Sequence, residues 1–129
     1  MRNEKILIVD DSKEIRNILF TFLKEKGFEV YTAENGKKAL DLIKEKVIDL
    51  IITDIRMPEM NGYQLTKKMK EERPMVGIII MTAYTSIYTE GDIRKIGADD
   101  YISKPFELIN IIEKIERVLF QMKSLKPMK

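Results

Sequence analysis

The chain has 129 residues, the size of one ordinary domain with a proper hydrophobic core. Its formal net charge of +2 is too small to argue for nucleic-acid binding, and no run of about 18 apolar residues predicts a membrane span. Cysteine and histidine are both absent, which excludes disulfides, thiol catalysis and imidazole chemistry. Any chemistry must therefore use carboxylates, hydroxyls and lysine. The first residues show no signal-peptide pattern, so we expect a cytoplasmic protein.

The first strand and helix are predicted from an apolar run and a helical repeat. Residues 6–9 form a buried strand that stops at Asp10 and Asp11, and Asp11 or Ser12 can cap the helix that follows. That helix is predicted to end at Gly27. Its predicted inward face contains Ile15, Ile18, Leu19, Phe22 and Leu23.

The middle of the chain repeats this alternation twice. Residues 29–33 are predicted as a strand, and Asn35 caps a helix with Ala39, Leu42 and Ile43 turned inward. The apolar run at 50–52 continues through Thr53 to Asp54 and predicts a third strand. A loop at 57–62 follows, marked by Pro58 and by Asn61-Gly62. The next helix is predicted to bury Leu65 and Met69.

The last third contains two more units. Residues 78–81 predict a strand that stops at Thr82, and residues 85–91 predict the start of a weak fourth helix that ends at Gly97. A fifth strand stops at Lys104-Pro105. The final helix is expected to bury Ile109, Ile112, Ile115 and Leu119. We predict one domain over 1–122, a frayed tail over 123–129 and no output domain.

Five strand–helix units with short connections predict an α/β fold, a parallel sheet with helices on both faces. In such a sheet the carboxyl ends of the strands line one crevice. The sequence therefore brings three carboxylates, a hydroxyl and an ammonium to one edge: Asp10, Asp11, Asp54, Thr82 and Lys104.

These residues have simpler interpretations, because each Asp can cap a helix, Thr82 can end a strand and Lys104 can be a surface residue. Crowded carboxylates repel each other unless they share a cation, however, and Mg²⁺ prefers carboxylate oxygens. A metal-bound phosphoryl group needs a hydroxyl donor and a compact cation, which Thr82 and Lys104 supply. One carboxylate can then act as the nucleophile and form an aspartyl phosphate, and Asp54 on the central strand is the natural candidate.

The ordered motifs resemble the receiver domain of two-component response regulators over nearly the whole chain. The resemblance is carried by Asp10-Asp11, Asp54 with Met57-Pro58 and Gly62, Thr82-Ala83, and Lys104-Pro105. Within that family, residues 3–11 and 81–84 are similar to the single-domain receiver of the sporulation phosphorelay. The resemblance implies a flavodoxin-like, five-stranded sheet in the order 2-1-3-4-5.

The resemblance also implies roles for residues. It implies Asp54 as the phosphoacceptor and Mg²⁺ on Asp11, Asp54 and the backbone carbonyl of Arg56, with Asp10 contributing partly through water. Thr82 and Lys104 would contact the phosphoryl oxygens, and Ala83 would leave the phosphoryl group room. Tyr101 would be the switch aromatic that turns inward when Thr82 moves. The Lys104-Pro105 peptide bond is commonly cis in the family.

Two positions that the family pattern leaves variable are Arg56 and Tyr84, which we expect at the mouth of the site. They are either solvated rim residues or a gate that controls the access of hydrolytic water to the phosphoryl group. Neither side chain is an acid or an amide able to orient a water, so we expect slow self-dephosphorylation.

We therefore expect a signalling receiver that catalyses its own phosphorylation and dephosphorylation rather than a conventional enzyme. Its expected partners are a histidine kinase or histidine phosphotransferase and a downstream protein target, with no direct DNA or membrane binding. A relay intermediate and a chemotaxis-type effector both remain open. The alternative of a haloacid-dehalogenase-like aspartyl phosphatase needs a second acid two residues after Asp54, where this chain has Arg56. A nucleotide-binding module would need a glycine-rich phosphate loop, which is absent.

Overall fold

The computed structural model describes residues 3–56, 60–83 and 89–125. These residues form five strands and five helices in strict alternation, and all strands pair in parallel in the order β2-β1-β3-β4-β5. The predicted fold class and strand order are confirmed. The elements are β1 (Lys5–Val9), α1 (Lys13–Glu25), β2 (Glu29–Ala33), α2 (Gly36–Glu45), β3 (Leu50–Asp54), α3 (Gly62–Glu72), β4 (Gly77–Ala83), α4 (Glu90–Lys95), β5 (Asp100–Lys104) and α5 (Leu108–Leu125).

The sheet separates two hydrophobic cores because successive strand side chains point to opposite faces. On one face Ile6 and Ile8 of β1 pack with α1 and α5, and on the other Leu7 and Val9 pack with α2, α3 and α4. Every residue of β3 is buried, as expected for a central strand of a parallel sheet covered on both faces. The central strand therefore holds Asp54, at its carboxyl end, in a well-packed setting.

Side-chain caps fix where the helices begin. Of the two candidate caps of α1, Ser12 performs the role, since its hydroxyl accepts a hydrogen bond from the amide of Ile15 at 3.3 Å. Asn35 caps α2, as predicted from the sequence. The predicted helix ends at Gly27 and Gly97 have φ of 95° and 99°, a conformation that favours glycine.

The buried faces predicted for α1 and α5 each need one correction. Ile18 and Ile109 are 45% and 57% exposed, so neither belongs to the buried faces predicted for them. The buried face of α5 comprises Ile111, Ile115, Val118, Leu119 and Met122. The error has a simple origin, because residues 108–112 contain four apolar side chains and a helical repeat fits them in more than one rotation.

The ends of the last two helices also bear on the predictions. Helix α4 begins at Glu90, with Thr89 as its cap, and the predicted start at residues 85–88 lies outside the described residues. Helix α5 continues to Leu125, and the domain boundary at residue 122 with the frayed tail over 123–129 stays a prediction. In the described part of the chain, none of the helices has both the length and the apolar composition of a membrane span.

Acidic side chains also stabilise the amino end of the sheet. The carboxylate of Asp49 accepts the amide of Lys5 at 2.8 Å. The carboxylate of Asp99 accepts the amide of Ile78 at 2.8 Å and the ammonium of Lys70 at 2.7 Å. Each carboxylate accepts a hydrogen bond from a strand amide that has no partner in the neighbouring strand. These acids therefore stabilise the amino end of the sheet.

Candidate functional site

Three acids meet at the carboxyl end of the sheet. Asp10 follows β1, Asp11 begins the loop to α1, and Asp54 ends β3. One carboxylate oxygen from each lies within 4.8 Å of the other two. Adjacent parallel strands β1 and β3 produce this convergence, since Val9 is in register with Thr53 and the next residues along the two strands are Asp10 and Asp54. The structure thus brings together the three acids that the strand ends predict.

Asp10 is the most enclosed of the three acids, with no exposed surface. Its Oδ1 accepts the amide of Ser12 at 2.9 Å, and its Oδ2 accepts the ammonium of Lys104 at 2.9 Å. The backbone amide of Asp10 donates to the carbonyl of Ala33 at 3.1 Å. Asp11, by contrast, is exposed. One acid is therefore fixed in the protein interior and the neighbouring acid faces solvent.

Asp54 and Lys104 form the second pair of the site. The ammonium of Lys104 lies 3.2 Å from Oδ2 of Asp54, and the amide of Arg56 donates to Oδ1 at 3.4 Å. Burial raises the pKa of Asp54, the charge of Lys104 opposes that rise, and the charge of Asp10 adds to it. Burial alone would lower the pKa of Lys104, but the hydrogen bond to Asp10 and the charges of Asp54 and Asp10 raise it instead. Lys104 is thus a firmly protonated counter-charge to both buried acids.

The peptide bond between Lys104 and Pro105 is cis. It lies where the chain leaves β5 towards α5, and the Lys104 side chain extends into the acid cluster on β1 and β3. Lys104 is in register with Ala83 of β4. The lysine that sequence analysis placed at a strand end is therefore part of the site, although β5 lies two strands away from β3.

Of the two predicted switch residues, Thr82 lies at the same edge, whereas Tyr101 lies near the start of β5, in register with Ile80 of β4. Thr82 is 8% exposed and is in register with Ser103 of β5. The ring of Tyr101 is half-buried between two cations, with Arg94 of α4 at 5.6 Å and Lys114 of α5 at 5.7 Å from its centroid. A hydrogen bond to Glu90 raises the pKa of the Tyr101 hydroxyl. Tyr101 is thus held against α4 and α5 by three charged side chains.

The residues of the predicted gate are only partly covered by the structure. Arg56 is described and exposed, next to Asp54. Tyr84 lies outside the described residues, as do Met57 and Pro58 of the predicted loop. Ala83 is half-buried at the end of β4.

One contact at the site was not foreseen from the sequence. The guanidinium of Arg16, in the first turns of α1, donates to the backbone carbonyl of Asp10 at 2.7 Å. The sequence does contain an indication of this contact. A cation near the amino end of a helix opposes the helix dipole, at a cost of about 0.3–1 kcal/mol, so an arginine at this position is expected to have an acceptor nearby.

The donor set fits a hard divalent cation. Three carboxylate oxygens lie close enough to share one ion, and oxygen ligands are those that Mg²⁺ selects. The buried acids already attract a cation, since Lys104 contacts both Asp10 and Asp54. The three carboxylates repel one another at this separation, and Lys104 offsets only part of that repulsion. Binding of a further cation would reduce the remaining repulsion.

Sequence comparison identifies the family. The sequence matches the response regulator receiver domain family over residues 6–116, so the chain belongs to that family. Receiver domains are phosphoacceptors of two-component signal transduction, and histidine kinases phosphorylate them.

Curated relatives contain the same domain within longer proteins. Regulatory protein AtoC of Escherichia coli (strain K12) is 39% identical over 122 residues, covering 95% of this chain and 26% of that protein. Response regulator SaeR of Staphylococcus aureus (strain USA300) is 37% identical over 119 residues, covering 92% of this chain and 52% of that protein. The chain thus spans about a quarter of the first relative and about half of the second.

Solved structures share the fold along most of their length. A CheY-like receiver domain from Methanospirillum hungatei JF-1 has a TM-score of 0.90 at 31% identity, with coverage of 97% of this chain and 100% of that one. Chemotaxis protein CheY4 of Vibrio cholerae has a TM-score of 0.84 at 31% identity, with coverage of 91% and 99%. The similarity includes relatives of different physiological roles, so it establishes the domain and not the pathway.

Proposed function

We propose that this chain is a Mg²⁺-dependent phosphoacceptor switch that takes a phosphoryl group from a phosphohistidine onto Asp54. The observation that carries the proposal is the position of Asp54 at the end of the buried central strand. There its carboxylate lies 3.2 Å from Lys104 and shares a cluster with Asp10 and Asp11. Asp10 shares Lys104 and the same edge of the sheet, but it has no exposed surface and its Oδ1 accepts the amide of Ser12 at 2.9 Å, whereas Asp54 is 8% exposed.

In the proposed step, an oxygen of the Asp54 carboxylate attacks phosphorus. The new P–O bond forms as the P–N bond of the phosphohistidine breaks, and the departing imidazole nitrogen keeps that electron pair and takes a proton from solvent. Lys104 stabilises the charge on the phosphoryl oxygens, and Thr82 donates a hydroxyl hydrogen bond to one of them. Asp10, Asp11, Asp54 and the carbonyl of Arg56 would hold Mg²⁺, which when bound supplies further neutralisation of that charge.

The first test is labelling with small phosphodonors. Incubation with acetyl phosphate and Mg²⁺, followed by peptide mapping, is expected to place one phosphoryl group on Asp54. Phosphoramidate has a P–N bond like that of phosphohistidine and is expected to label the same residue. Asp54→Asn should abolish stable labelling, whereas Asp41→Asn, an exposed change on α2, should leave it intact. Parental labelling of Asp54→Asn would contradict the proposal.

The phosphatase alternative makes a different prediction. An aspartyl phosphatase of that kind needs an acid two residues after the nucleophile to protonate the leaving group, and the exposed Arg56 occupies that position. We therefore expect no steady turnover of phosphate monoesters such as p-nitrophenyl phosphate. Multiple turnovers that Asp54→Asn abolishes would favour the enzyme over the switch.

We propose that Thr82 and Tyr101 pass the signal to the surface of α4, β5 and α5. Capture of the phosphoryl group draws the Thr82 hydroxyl towards it and opens space for the Tyr101 ring, which then leaves Arg94 and Lys114. Helix α4 has six residues and buries only Ile93 from among them, so little local packing resists the shift. Hydrogen exchange with and without a beryllofluoride phosphoryl mimic tests this, and an unchanged segment from Thr82 to Tyr101 would mean that the signal leaves by another surface.

We also propose that Arg56 and Tyr84 prolong the lifetime of the phosphoryl group. A guanidinium has no acceptor to orient a water for attack at phosphorus. Arg56→Asn introduces an amide oxygen at the mouth of the site and should speed decay of the phosphorylated protein, as should Tyr84→Glu. Arg73→Asn, an exposed change at the end of α3, is the control. Slow parental decay suits a relay intermediate, and rapid parental decay suits a chemotaxis-type effector.

The partners follow from the donor chemistry. We propose a histidine kinase or histidine phosphotransferase as donor, and a downstream protein as recipient of the signal. Retrieval of partners from the source cell with phosphorylated and unphosphorylated protein would identify both.

A further inference from the structure

One residue, Arg16, makes hydrogen bonds to the backbone on both sides of Asp11. Its guanidinium donates to the carbonyl of Asp10 at 2.7 Å, which fixes the peptide group that leads into Asp11. Its backbone amide donates to the carbonyl of Ser12 at 3.0 Å, just beyond Asp11. The exposed acid thus lies in a three-residue segment whose two flanking carbonyls both accept hydrogen bonds from Arg16.

Asp10 adds a third restraint to the same segment. Its carboxylate accepts the amide of Ser12 at 2.9 Å, so the chain folds back across Asp11. The Asp10 carboxylate can hold the Ser12 amide only while the backbone of Asp10 is fixed. Two hydrogen bonds fix that backbone: its amide donates to the carbonyl of Ala33, and its carbonyl accepts from the guanidinium of Arg16. Loss of the guanidinium would leave this carbonyl, next to a fully buried side chain, without its cationic donor.

The position of Arg16 is one that electrostatics alone would not favour for a positive charge. A cation near the amino end of a helix and beside a cation site is unfavourable on electrostatic grounds alone. Nearby Glu34 compensates in part, since Arg16 contributes to the lowering of the pKa of Glu34 after the larger effect of Lys38. The planar guanidinium of Arg16 directs its N–H groups in fixed directions, so it holds a carbonyl better than the ammonium of a lysine would.

We propose that Arg16 is a positioning residue for the metal site: by fixing the carbonyl of Asp10, it holds the Asp10–Ser12 segment in the conformation in which Asp11 can bind Mg²⁺. The inference rests on the proposed function for the existence of that site. It makes a prediction of unusual sign, because removal of a positive charge next to a cation site should weaken cation binding rather than strengthen it.

The test is a calorimetric titration of the whole chain with MgCl₂ at constant ionic strength and without any phosphodonor. Arg16→Met keeps an apolar stem and loses the donor, and it should weaken Mg²⁺ binding about tenfold, the lower end of what loss of a partner behind a metal ligand costs. Arg16→Lys keeps a donor on a shorter stem and should fall between Arg16→Met and the parent. Lys13→Met is the matched control, since it removes an exposed positive charge from the first turn of the same helix. That control should bind Mg²⁺ as tightly as the parent or more tightly.

The outcomes separate this inference from the proposed function. The titration is made well below the melting transition of each variant, where a general loss of stability does not change the dissociation constant. Parental affinity in either Arg16→Lys or Arg16→Met overturns the inference, and so does equal weakening in Lys13→Met. If Arg16→Met does not fold, Arg16→Lys alone still decides. Absence of Mg²⁺ binding by the parent, or full binding by Asp11→Asn, would instead overturn the proposed metal site and with it the proposed function.

Discussion

The two ends of the sheet use aspartate in opposite ways. At the amino end, Asp49 and Asp99 lie apart and each accepts a backbone amide. At the carboxyl end, Asp10, Asp11 and Asp54 crowd together, and the ammonium of Lys104 contacts Asp10 and Asp54. The first arrangement contributes to the free energy of folding, whereas the crowding of like charges in the second reduces it and, in the proposed function, forms the place where a cation and a phosphoryl group bind. Asp10 and Asp54 accept backbone amides as well, so the two ends differ in the crowding of acids rather than in the presence of backbone donors.

The largest expected effect tests how tightly the chain is packed around Asp54. A Cβ at position 62 would lie 2.2 Å from the carbonyl oxygen of Asp54 and 2.9 Å from Cα of Ile55, so backbone would have to move. Gly62→Ala should lower the free energy of unfolding by about 3 kcal/mol. At position 91 the nearest atom is Oγ1 of Thr89 at 3.6 Å, and Gly91→Ala should stabilise the protein by about 0.5 kcal/mol. Urea denaturation measures both, and equal effects would contradict the tight approach of α3 to β3.

The second prediction removes the counter-charge of the carboxyl end. Lys104→Met leaves two buried carboxylates without their cation and should cost about 1–3 kcal/mol of folding free energy. The same change removes a competitor of the metal, so Mg²⁺ should bind more tightly and restore part of the stability by mass action. Lys37→Met, exposed on α2, is the control. Weaker Mg²⁺ binding by Lys104→Met would mean that Lys104 holds the carboxylates in position for the metal rather than competing with the metal for them.

The third prediction concerns the amino end. Asp99→Asn removes the charged acceptor of the Ile78 amide and of the Lys70 ammonium, both at under 3 Å. It should lower the free energy of unfolding by about 1–2 kcal/mol. Labelling of Asp54 by acetyl phosphate should proceed at the parental rate. A labelling defect in this variant would show that the two ends of the sheet are coupled and not independent.

The smallest effect is expected at the exposed acid of the carboxyl end. Asp11→Asn removes one of three crowded charges, so the melting temperature without Mg²⁺ should rise by up to about 2 °C. Addition of Mg²⁺ should stabilise the parent and leave Asp11→Asn unchanged. Thermal denaturation with and without Mg²⁺ measures both, and a fall in the melting temperature of the metal-free variant would contradict the repulsion inferred for the cluster.

The sequence allows prediction of the fold and of the residues that meet, because both follow from strand ends. Once apolar runs mark parallel strands, the polar residue that ends each run must lie at the common edge, and Asp10, Asp54 and Lys104 do meet there. The pairing of Lys104 with both acids was not predictable, since it depends on how far one side chain reaches across β4. The contact of Arg16 with a carbonyl was missed for a different reason: a side chain-to-backbone contact leaves no periodic pattern, and a single cation near the start of a helix is a weak signal.

The two cores on opposite faces of the sheet have a consequence for evolution. By strand alternation, Asp10 and Asp54 continue the face of Ile8 and Ile52 towards α1 and α5, whereas Tyr101 packs with the core of α2, α3 and α4. In the proposed switch, the backbone of the sheet therefore separates Asp54, which would accept the phosphoryl group, from Tyr101, which would pass the signal on. Selection could then alter the face that carries Tyr101 to suit a new target protein while Asp10 and Asp54 keep their chemistry.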